Sequence, residues 1–385
     1  MLPLILLFWV ARGSEDKYSL LVLVGVIAMN VSIIVIGYVT SAVACGGTML
    51  FKYNRFNAED YEQHEYITSN GLVPYLIFYF DWSELFTERN KKYDYKTIDT
   101  SSLPRYTDNS YAYAEGKNVI LLFVESLNSF VINCKIDDKE ICPNLNKLFN
   151  DTANISALFS PQTIHLPSEE AHLIVNTGLL PIRNDAIMKY VSKDVPSLIK
   201  AKQWNESFVT TVDKKNIWGQ YHLTNFYGFK ENFHYEKISK VLGSSDVMEE
   251  KVFEYAVTKI KTTNQPFICQ IVTEMMHGPF NMIKDEDKEK WIVNADVFDN
   301  TTRNYLACMN YFDKCLGKFL NDFRESGKYD NCMIVVMGDH CVHGEYRTGN
   351  YLEHHSDSSA IVILNSGCPV ERIPRPKHMQ QIDIY

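Results

Sequence analysis

The 385-residue chain lacks an excess of positive charge, a paired-cysteine motif, and any internal repeat or low-complexity segment. Its formal net charge of −9 and pI near 5.7, with no basic cluster, argue against a nucleic-acid partner. The nine cysteines are scattered and lack the CxxC spacing of a zinc site. Cys134 and Cys142 bracket a short polar loop and could form a disulfide if that face is extracellular.

The N-terminal region lacks both marks of a cleaved signal peptide, which are leading charges and a small-residue cleavage site after the apolar run. Residues 1–11 are apolar but too short to span a bilayer, and we interpret them as the remnant of an earlier membrane helix. Residues 19–40 carry no charge and are long enough to cross about 30 Å of hydrocarbon. We predict one transmembrane helix over residues 19–44, because a buried core helix is rarely apolar on every face.

Residues 45–116 are polar and aromatic without long alternation, and we interpret them as a linker. Within the linker, residues 71–86 are dense in aromatic side chains of the kind that prefer the membrane interface. This stretch is expected either to form a helix lying on the bilayer surface or to pack against the soluble domain.

Beyond residue 116, short apolar runs alternate with helical patterns, which is typical of an α/β fold with a largely parallel sheet flanked by helices. The predicted strands cover residues 118–124, 207–212, 266–272, 332–337 and 360–364. The predicted helices cover residues 143–150, 247–261 and 302–324. The fold class expected for the whole chain is therefore such an α/β domain preceded by an N-terminal transmembrane helix.

Three of the predicted strands end in residues that can bind metals or protons. Glu125 follows the first strand, Asp339 and His340 follow another, and His277 lies shortly after a third. Each residue alone has an ordinary explanation, as a helix cap, a turn residue or a core histidine. Because ligands of open α/β sheets collect beyond the carboxyl ends of the strands, their coincidence favours one shared site.

Ser168 stands between Pro167 and the acidic pair Glu169 and Glu170, a pattern typical of a helix N-cap. The same position places a hydroxyl in the positive field of a helix N-terminus, where an alkoxide and an attached phosphate are both stabilised. The stretch alone therefore leaves two interpretations, a structural cap and a nucleophile.

Glu125, Ser168, Asp339 and His340 together would offer oxygen-rich ligands and one imidazole, which suits a single Mn²⁺, Mg²⁺ or Zn²⁺ ion. Such an ion would lower the pKa of the Ser168 hydroxyl and polarise a phosphoryl oxygen in the same step. The set therefore predicts a nucleophilic serine in a metal site.

Three segments carry a resemblance to a known family: NVILLFVESLNSF (118–130), the stretch 162–181, and VVMGDH (335–340). They resemble the lipoteichoic acid synthase group of membrane-anchored phosphoglycerol transferases, within the sulfatase and alkaline phosphatase superfamily. The resemblance implies a sulfatase-like catalytic domain over residues 117–385, truncated at its C-terminal end. It also implies metal ligation by Glu125, Ser168, Asp339 and His340, with serine replacing the group's nucleophilic threonine.

The resemblance further places Trp218 and His277 near the glycerol phosphate. It implies that His277 binds the transferred group or moves a proton. Gln220 stands where the group has an arginine. A neutral amide cannot form the charged fork of a guanidinium, so the headgroup or its affinity is expected to differ.

The function implied is transfer of glycerol phosphate from a phosphatidylglycerol-type lipid to a glycolipid, polymer or glycan of the cell envelope, through a covalent serine intermediate. The expected cofactor is one Mn²⁺, or Mg²⁺ or Zn²⁺ in its place, and the catalytic domain is expected outside the cell membrane. Alternatives are a phosphodiesterase or sulfatase, a phosphoethanolamine transferase, and a membrane-tethered binding protein with a decayed site. Formylglycine chemistry is disfavoured because Ser168 lacks the proline and arginine that this modification requires.

Overall fold

The structure of the chain is a computed structural model. It describes residues 115–164, 167–181, 195–201, 204–212, 224, 226–244, 248–342, 350–355, 357–368 and 379–384. All of them belong to the second of two compact units, residues 96–385. The predicted remnant 1–11, the predicted membrane helix 19–44 and nearly all of the predicted linker lie outside the described residues. No helix within the described ranges combines the length and the apolar character needed to cross a membrane.

A mostly parallel sheet of eight strands forms the centre of the described region, in the order β10-β4-β9-β8-β1-β7-β5-β6, and β2 and β3 form a separate hairpin. The ten strands are β1 Asn118–Val124, β2 Lys135–Ile136, β3 Lys139–Glu140, β4 Ile155–Ser160, β5 Glu206–Thr211, β6 Glu231–Phe233, β7 Phe267–Val272, β8 Cys332–Gly338, β9 Ser359–Leu364 and β10 Met379–Gln380. The predicted largely parallel sheet is confirmed, with β9 the exception, because it runs antiparallel to both β4 and β8.

Eight α-helices lie in the described region: α1 Pro143–Asn150, α2 Pro167–Thr177, α3 Leu198–Ala201, α4 Tyr235–Leu242, α5 Glu249–Thr262, α6 Lys290–Val293, α7 Asn300–Arg324 and α8 Asn350–His355. The three predicted helices correspond to α1, α5 and α7. In α1, Pro143 occupies the first turn, where its missing N–H costs no hydrogen bond.

Helices cover both faces of the sheet, and β1 shows why. Its seven residues are all buried, and alternate side chains point to opposite faces. Ile120 and Leu122 pack in the apolar cluster that includes α5 and α7. Leu121 and Phe123 pack in a second cluster with α2. Burial on both sides explains the nearly continuous apolar sequence of this strand.

The helix that carries Ser168 begins two residues earlier than an N-cap at Ser168 would predict. It starts at Pro167, so Ser168 lies inside the first turn and is not the N-cap. A proline at the first helical position is well tolerated because its backbone torsion already suits the helix. The N-cap interpretation of Ser168 is therefore wrong, and its hydroxyl contacts Glu125 and His340 instead.

The disulfide considered between Cys134 and Cys142 is not formed. Both residues have free thiols, with Cys142 buried at the start of α1 and Cys134 partly exposed before β2. Burial raises the pKa of the Cys142 thiol well above its usual range, so this sulfur remains protonated.

Gly338 ends β8 at a point with no room for a side chain. A Cβ at this position would lie 2.0 Å from Ser359 Oγ and 2.9 Å from Leu127 Cβ. We expect Gly338→Ala to lower the free energy of unfolding by about 1–3 kcal/mol, because overpacking forces buried neighbours to shift. Chemical denaturation would measure the loss, and adding Ser359→Ala should restore part of it. Unchanged stability of the single variant would contradict the prediction.

Candidate active site

Glu125 and Asp339 follow two neighbouring strands that pair in parallel. Val124, the last residue of β1, lies opposite Gly338, the last residue of β8. The chain therefore brings both carboxylates to the same edge of the sheet, where open α/β sheets bind ligands. Only 4% of Glu125 and 1% of Asp339 is exposed, so neither carboxylate is solvated by bulk water.

The Ser168 hydroxyl reaches this edge from the first turn of α2. Its Oγ lies 3.2 Å from Glu125 Oε2 and 3.0 Å from His340 Nε2. The same His340 nitrogen is 3.3 Å from Glu125 Oε1 and 3.5 Å from Asp339 Oδ2. The four residues predicted from the sequence thus meet in one cluster of polar contacts.

The segment leading to Ser168 is fastened to the same helix. Glu170, fully buried in the first turn of α2, accepts a hydrogen bond from the backbone N–H of Ile164. A first-turn carboxylate that reaches back to a preceding amide resembles half of a capping box. This contact ties Ile164 to the first turn of the helix that carries Ser168.

The charges of the cluster are strongly interdependent. Burial alone would raise the pKa of Glu125. The charge of the His340 ring and hydrogen bonds from His340 and Ser126 outweigh burial and lower this pKa to about 2. Burial and the nearby Glu125 charge raise the pKa of Asp339 to about 7. Burial opposes protonation of His340, yet Asp339 and Glu125 raise its pKa to about 9. Two buried carboxylates therefore require a positive charge between them.

The donor set fits a divalent cation. One ligand atom each from Glu125, Asp339 and His340 can be chosen so that all three lie within 4.8 Å of one another. His340 Nδ1 contacts the carbonyl oxygen of Cys341 at 2.6 Å, which orients the ring with Nε2 toward the carboxylates. Two carboxylates and one imidazole suit Mn²⁺, Mg²⁺ or Zn²⁺, and such an ion would supply the positive charge in place of a protonated His340 ring.

The loop after β1 orients both carboxylates. Ser126 adopts a left-handed backbone conformation with φ of 49°. Its backbone N–H donates to Asp339 Oδ1 at 3.0 Å, and its hydroxyl donates to Glu125 Oε1 at 2.6 Å. The backbone N–H of Glu125 donates to Thr273 Oγ1 at 3.0 Å, just beyond the end of β7. Three strand ends are therefore joined through this loop.

Tyr305 on α7 supports the loop from the opposite side. Its hydroxyl donates to the carbonyl oxygen of Ser126 at 2.8 Å and accepts from the backbone N–H of Asn128 at 3.0 Å. The side chain is fully buried, so bulk water cannot replace its hydroxyl as the partner of the Ser126 carbonyl oxygen and the Asn128 N–H. Asn128 Oδ1 in turn accepts from the backbone N–H of Val342, which links the loop to the residues after His340.

We expect Tyr305→Phe to lower the free energy of unfolding by about 1–3 kcal/mol, because two buried backbone groups lose their partner. Metal affinity should fall by about tenfold, since the loop that orients Glu125 is released. Denaturation and manganese titration would measure the two effects. Tyr311→Phe, further along α7, serves as the matched control. Unchanged affinity in Tyr305→Phe would contradict this positioning role.

Residues near the C-terminal end of the described region also reach the site. Gln381 Nε2 donates to the carbonyl oxygen of Asp339 at 2.7 Å, and Gln381 Oε1 accepts from the backbone N–H of Gln162 at 3.2 Å. Gln162 Oε1 accepts from the backbone N–H of Ile382 at 3.0 Å. One glutamine pair therefore joins the segment before Ser168 to the strand end that carries Asp339.

Of the residues predicted near the transferred group, only His277 lies in the described region. It is half-buried after β7, and its Nδ1 contacts the carbonyl oxygen of Gly278 at 2.8 Å. Burial raises the pKa of Glu125, and His340 and, more weakly, His277 lower it, so the His277 ring lies within electrostatic reach of the cluster. Trp218 and Gln220 fall outside the described residues.

Sequence reasoning missed His172, which lies one helical turn beyond Ser168. Only 4% of this residue is exposed, its ring meets Phe123 edge-on with centroids 4.6 Å apart, and burial lowers its pKa to about 4. The i to i+4 spacing on α2 was the available signal, because residues so spaced share one helix face. A neutral imidazole is therefore buried one helical turn beyond Ser168.

The chain is similar in sequence to lipoteichoic acid synthases. It is 26% identical over 325 residues to lipoteichoic acid synthase 1 of Bacillus subtilis, covering 78% of this chain and 50% of that protein. It is 25% identical over 254 residues to the lipoteichoic acid synthase of Staphylococcus aureus strain USA300, covering 64% of this chain and 38% of that protein. The chain thus spans half or less of these curated relatives.

Solved structures share the fold. The lipoteichoic acid synthase LtaP from Listeria monocytogenes aligns with a TM-score of 0.59 at 20% identity, covering 73% of this chain and 72% of that one. The Streptococcus pyogenes phosphoglycerol transferase GacH, in complex with sn-glycerol-1-phosphate, aligns with a TM-score of 0.52 at 15% identity, covering 70% and 73%. At these identities the likeness establishes an alkaline phosphatase and sulfatase type of α/β fold.

The sulfatase family model matches residues 117–361, which begin just before β1 and end within β9. This match covers more than half of the chain and includes all four residues of the cluster. The chain therefore belongs to the sulfatase family.

Proposed function

We propose that this chain is a membrane-anchored phosphoglycerol transferase. It moves glycerol phosphate from a phosphatidylglycerol-type lipid to a hydroxyl of a glycolipid, polymer or glycan in the cell envelope. The observation that carries the proposal is the position of Ser168 Oγ, within 3.2 Å of Glu125 Oε2 and 3.0 Å of His340 Nε2. A hydroxyl so placed, at the start of a helix, is suited to attack phosphorus.

Glu125, Asp339, His340 and Ser168 would hold one divalent ion, with Mn²⁺ the expected metal and Mg²⁺ or Zn²⁺ as alternatives. When bound, the ion lowers the pKa of the Ser168 hydroxyl and polarises a phosphoryl oxygen. The protein's contribution is to orient the ligands. Ser126 bonds to both carboxylates, and the carbonyl oxygen of Cys341 orients the His340 ring.

In the first half-reaction, the Ser168 alkoxide forms a bond to phosphorus while the bond from phosphorus to the diacylglycerol oxygen breaks. Protonated His277 gives its proton to the leaving oxygen, so diacylglycerol departs as an alcohol. In the second half-reaction, an acceptor hydroxyl gives its proton to His277 and attacks phosphorus. The Ser168 alkoxide leaves, and both residues return to their starting states.

Trp218 and Gln220 are proposed to contact the glycerol phosphate. An indole can pack against the glycerol carbons, while a neutral amide can donate hydrogen bonds to a phosphate without adding charge. The predicted membrane helix would keep the site close to a lipid donor, and the catalytic domain would act on the outer side of the cell membrane.

The proposal is tested with the full chain, Mn²⁺, and vesicles of phosphatidylglycerol labelled in the headgroup glycerol. We expect label to appear on the acceptor in proportion to the diacylglycerol released. Free labelled glycerol phosphate without an acceptor adduct would identify a hydrolase. Preference for labelled phosphatidylethanolamine would identify a phosphoethanolamine transferase, and tight lipid binding without turnover would identify a binding protein.

A further inference from the structure

A buried carboxylate outside the four-residue cluster holds the loop that carries His277. Glu249 is the first residue of α5, and only 1% of it is exposed. Its Oε1 accepts hydrogen bonds from the backbone N–H groups of Glu274, at 2.7 Å, and Met275, at 2.5 Å. These two amides belong to the loop that follows β7, so one carboxylate ties that loop to α5.

The chain beyond these amides is a compact turn. The backbone N–H of His277 donates to the carbonyl oxygen of Glu274 at 2.8 Å, and the N–H of Phe280 donates to the carbonyl oxygen of His277 at 3.1 Å. His277 Nδ1 contacts the carbonyl oxygen of Gly278 at 2.8 Å. The direction of the imidazole is therefore set by backbone that starts at the amides bound by Glu249.

A carboxylate is a costly group for this position if its task is packing alone. Glu249 Oε2 has no hydrogen-bond partner within the described residues, and burial raises the pKa of the side chain to about 7. The surrounding cluster is apolar and would accept an apolar side chain without that desolvation cost. An apolar side chain, however, could not accept hydrogen bonds from two consecutive backbone N–H groups.

We propose that Glu249 is a positioning residue for His277, and that its paired hydrogen bonds set the location of the imidazole relative to the bound phosphoryl group. The inference rests on the proposed function, in which His277 exchanges a proton with the leaving and attacking oxygens. Loss of the two bonds would allow the turn to shift, and a displacement of about 1 Å can lower a rate by about 10²-fold.

Asp313 provides a matched control within the same domain. It is a fully buried carboxylate on α7 that accepts from the backbone N–H groups of Asn144, at 3.0 Å, and Leu145, at 2.7 Å. The chemistry is that of Glu249, a buried carboxylate bound to two consecutive amides. These amides lie at the start of α1, however, and not in the His277 loop. If general destabilisation caused the loss of activity, variants of Glu249 and Asp313 should therefore lose activity equally.

The test measures kcat and KM for transfer by the full chain with Mn²⁺ and phosphatidylglycerol vesicles. Glu249→Ala is expected to lower kcat by about 10- to 100-fold. Glu249→Gln should stay within about threefold of the native value, because its amide oxygen still accepts both bonds. Asp313→Ala should leave kcat per folded molecule unchanged. Native kcat in Glu249→Ala, or an equal loss in Asp313→Ala, would overturn the proposal.

A double-mutant cycle with His277→Ala tests whether Glu249 acts through the histidine. If it does, Glu249→Ala should lower kcat by less than about twofold in the His277→Ala background. If Glu249→Ala lowers kcat by the same factor in the native and the His277→Ala backgrounds, the inference is contradicted. This readout separates positioning from a purely structural role, because a structural loss would be the same in both backgrounds.

Should Glu249→Ala fail to fold, Glu249→Leu removes the acceptor while filling the space, and the same outcomes apply. Amide hydrogen exchange provides a second measurement, with faster exchange at Glu274 and Met275 expected in the variant. Native protein without transfer activity would overturn the proposed function, and with it the role of His277. Active native protein with an unaffected Glu249→Leu variant would overturn the positioning role alone.

Discussion

Replacing Ser168 with alanine is expected to lower the rate of phosphoglycerol transfer by at least about 10³-fold, since no other group would form the covalent bond to phosphorus. The variant should fold normally, because Ser168 is not the N-cap of α2 and Ala is a favourable helix residue. Single-turnover assays with labelled phosphatidylglycerol, followed by isolation of protein-bound label, would measure both the rate and the intermediate.

Ser168→Thr is the matched control, because it keeps a hydroxyl in the first turn of the same helix. We expect it to retain measurable transfer and to accumulate labelled protein as the native chain does. Transfer by Ser168→Ala at more than a few per cent of the native rate would exclude a serine nucleophile. Native-like labelling of that variant would direct the search to another hydroxyl.

The second large effect is expected from Asp339→Asn, which should abolish metal binding and lower transfer by about 10³-fold or more. The substitution keeps the side-chain shape and one oxygen acceptor for Ser126 N–H and His340 N–H, so its main effect is the loss of charge. With Asp339 neutral, His340 and Glu125 can satisfy each other as an ion pair, and the attraction for a divalent ion is reduced. Elemental analysis of the purified full chain would measure the bound metal.

Asp313→Asn is the control, since it neutralises a buried carboxylate that lies at the start of α1. This variant should retain one metal per chain. Removal of metal from the native chain with a chelator should reproduce the inactivity of Asp339→Asn, and added Mn²⁺ should restore only the native chain. Full metal content in Asp339→Asn would refute ligation by this carboxylate.

The central strands were predictable because each is a short apolar run with a clear end. All five predicted strands occur within one residue of their predicted bounds, from β1 at Asn118–Val124 to β9 at Ser359–Leu364. The missed strands are different in character. β2, β3 and β10 have two residues each, β6 has three, and β4 is mostly only partly buried, so their pairing partners and not their own sequences determine them.

The candidate site was predictable where strand ends carry it. Glu125 and Asp339 stand directly after apolar strands, and the parallel sheet places them together. The supporting contacts could not be predicted, because they join distant residues through loop conformations. Tyr305 lies 179 positions from the Ser126 carbonyl oxygen that it binds. No local pattern in the sequence marks such a partner, and only the folded loop reveals it.

The glutamine link from Gln381 to the carbonyl oxygen of Asp339 has a consequence for the order in which an active protein forms. This contact spans 42 positions, and the bond from Gln162 to Gln381 spans 219. Contacts so distant form only after much of the sheet has assembled. Maturation should therefore proceed by folding first and metal loading second, so that the ion would enter a site whose ligands already stand in place.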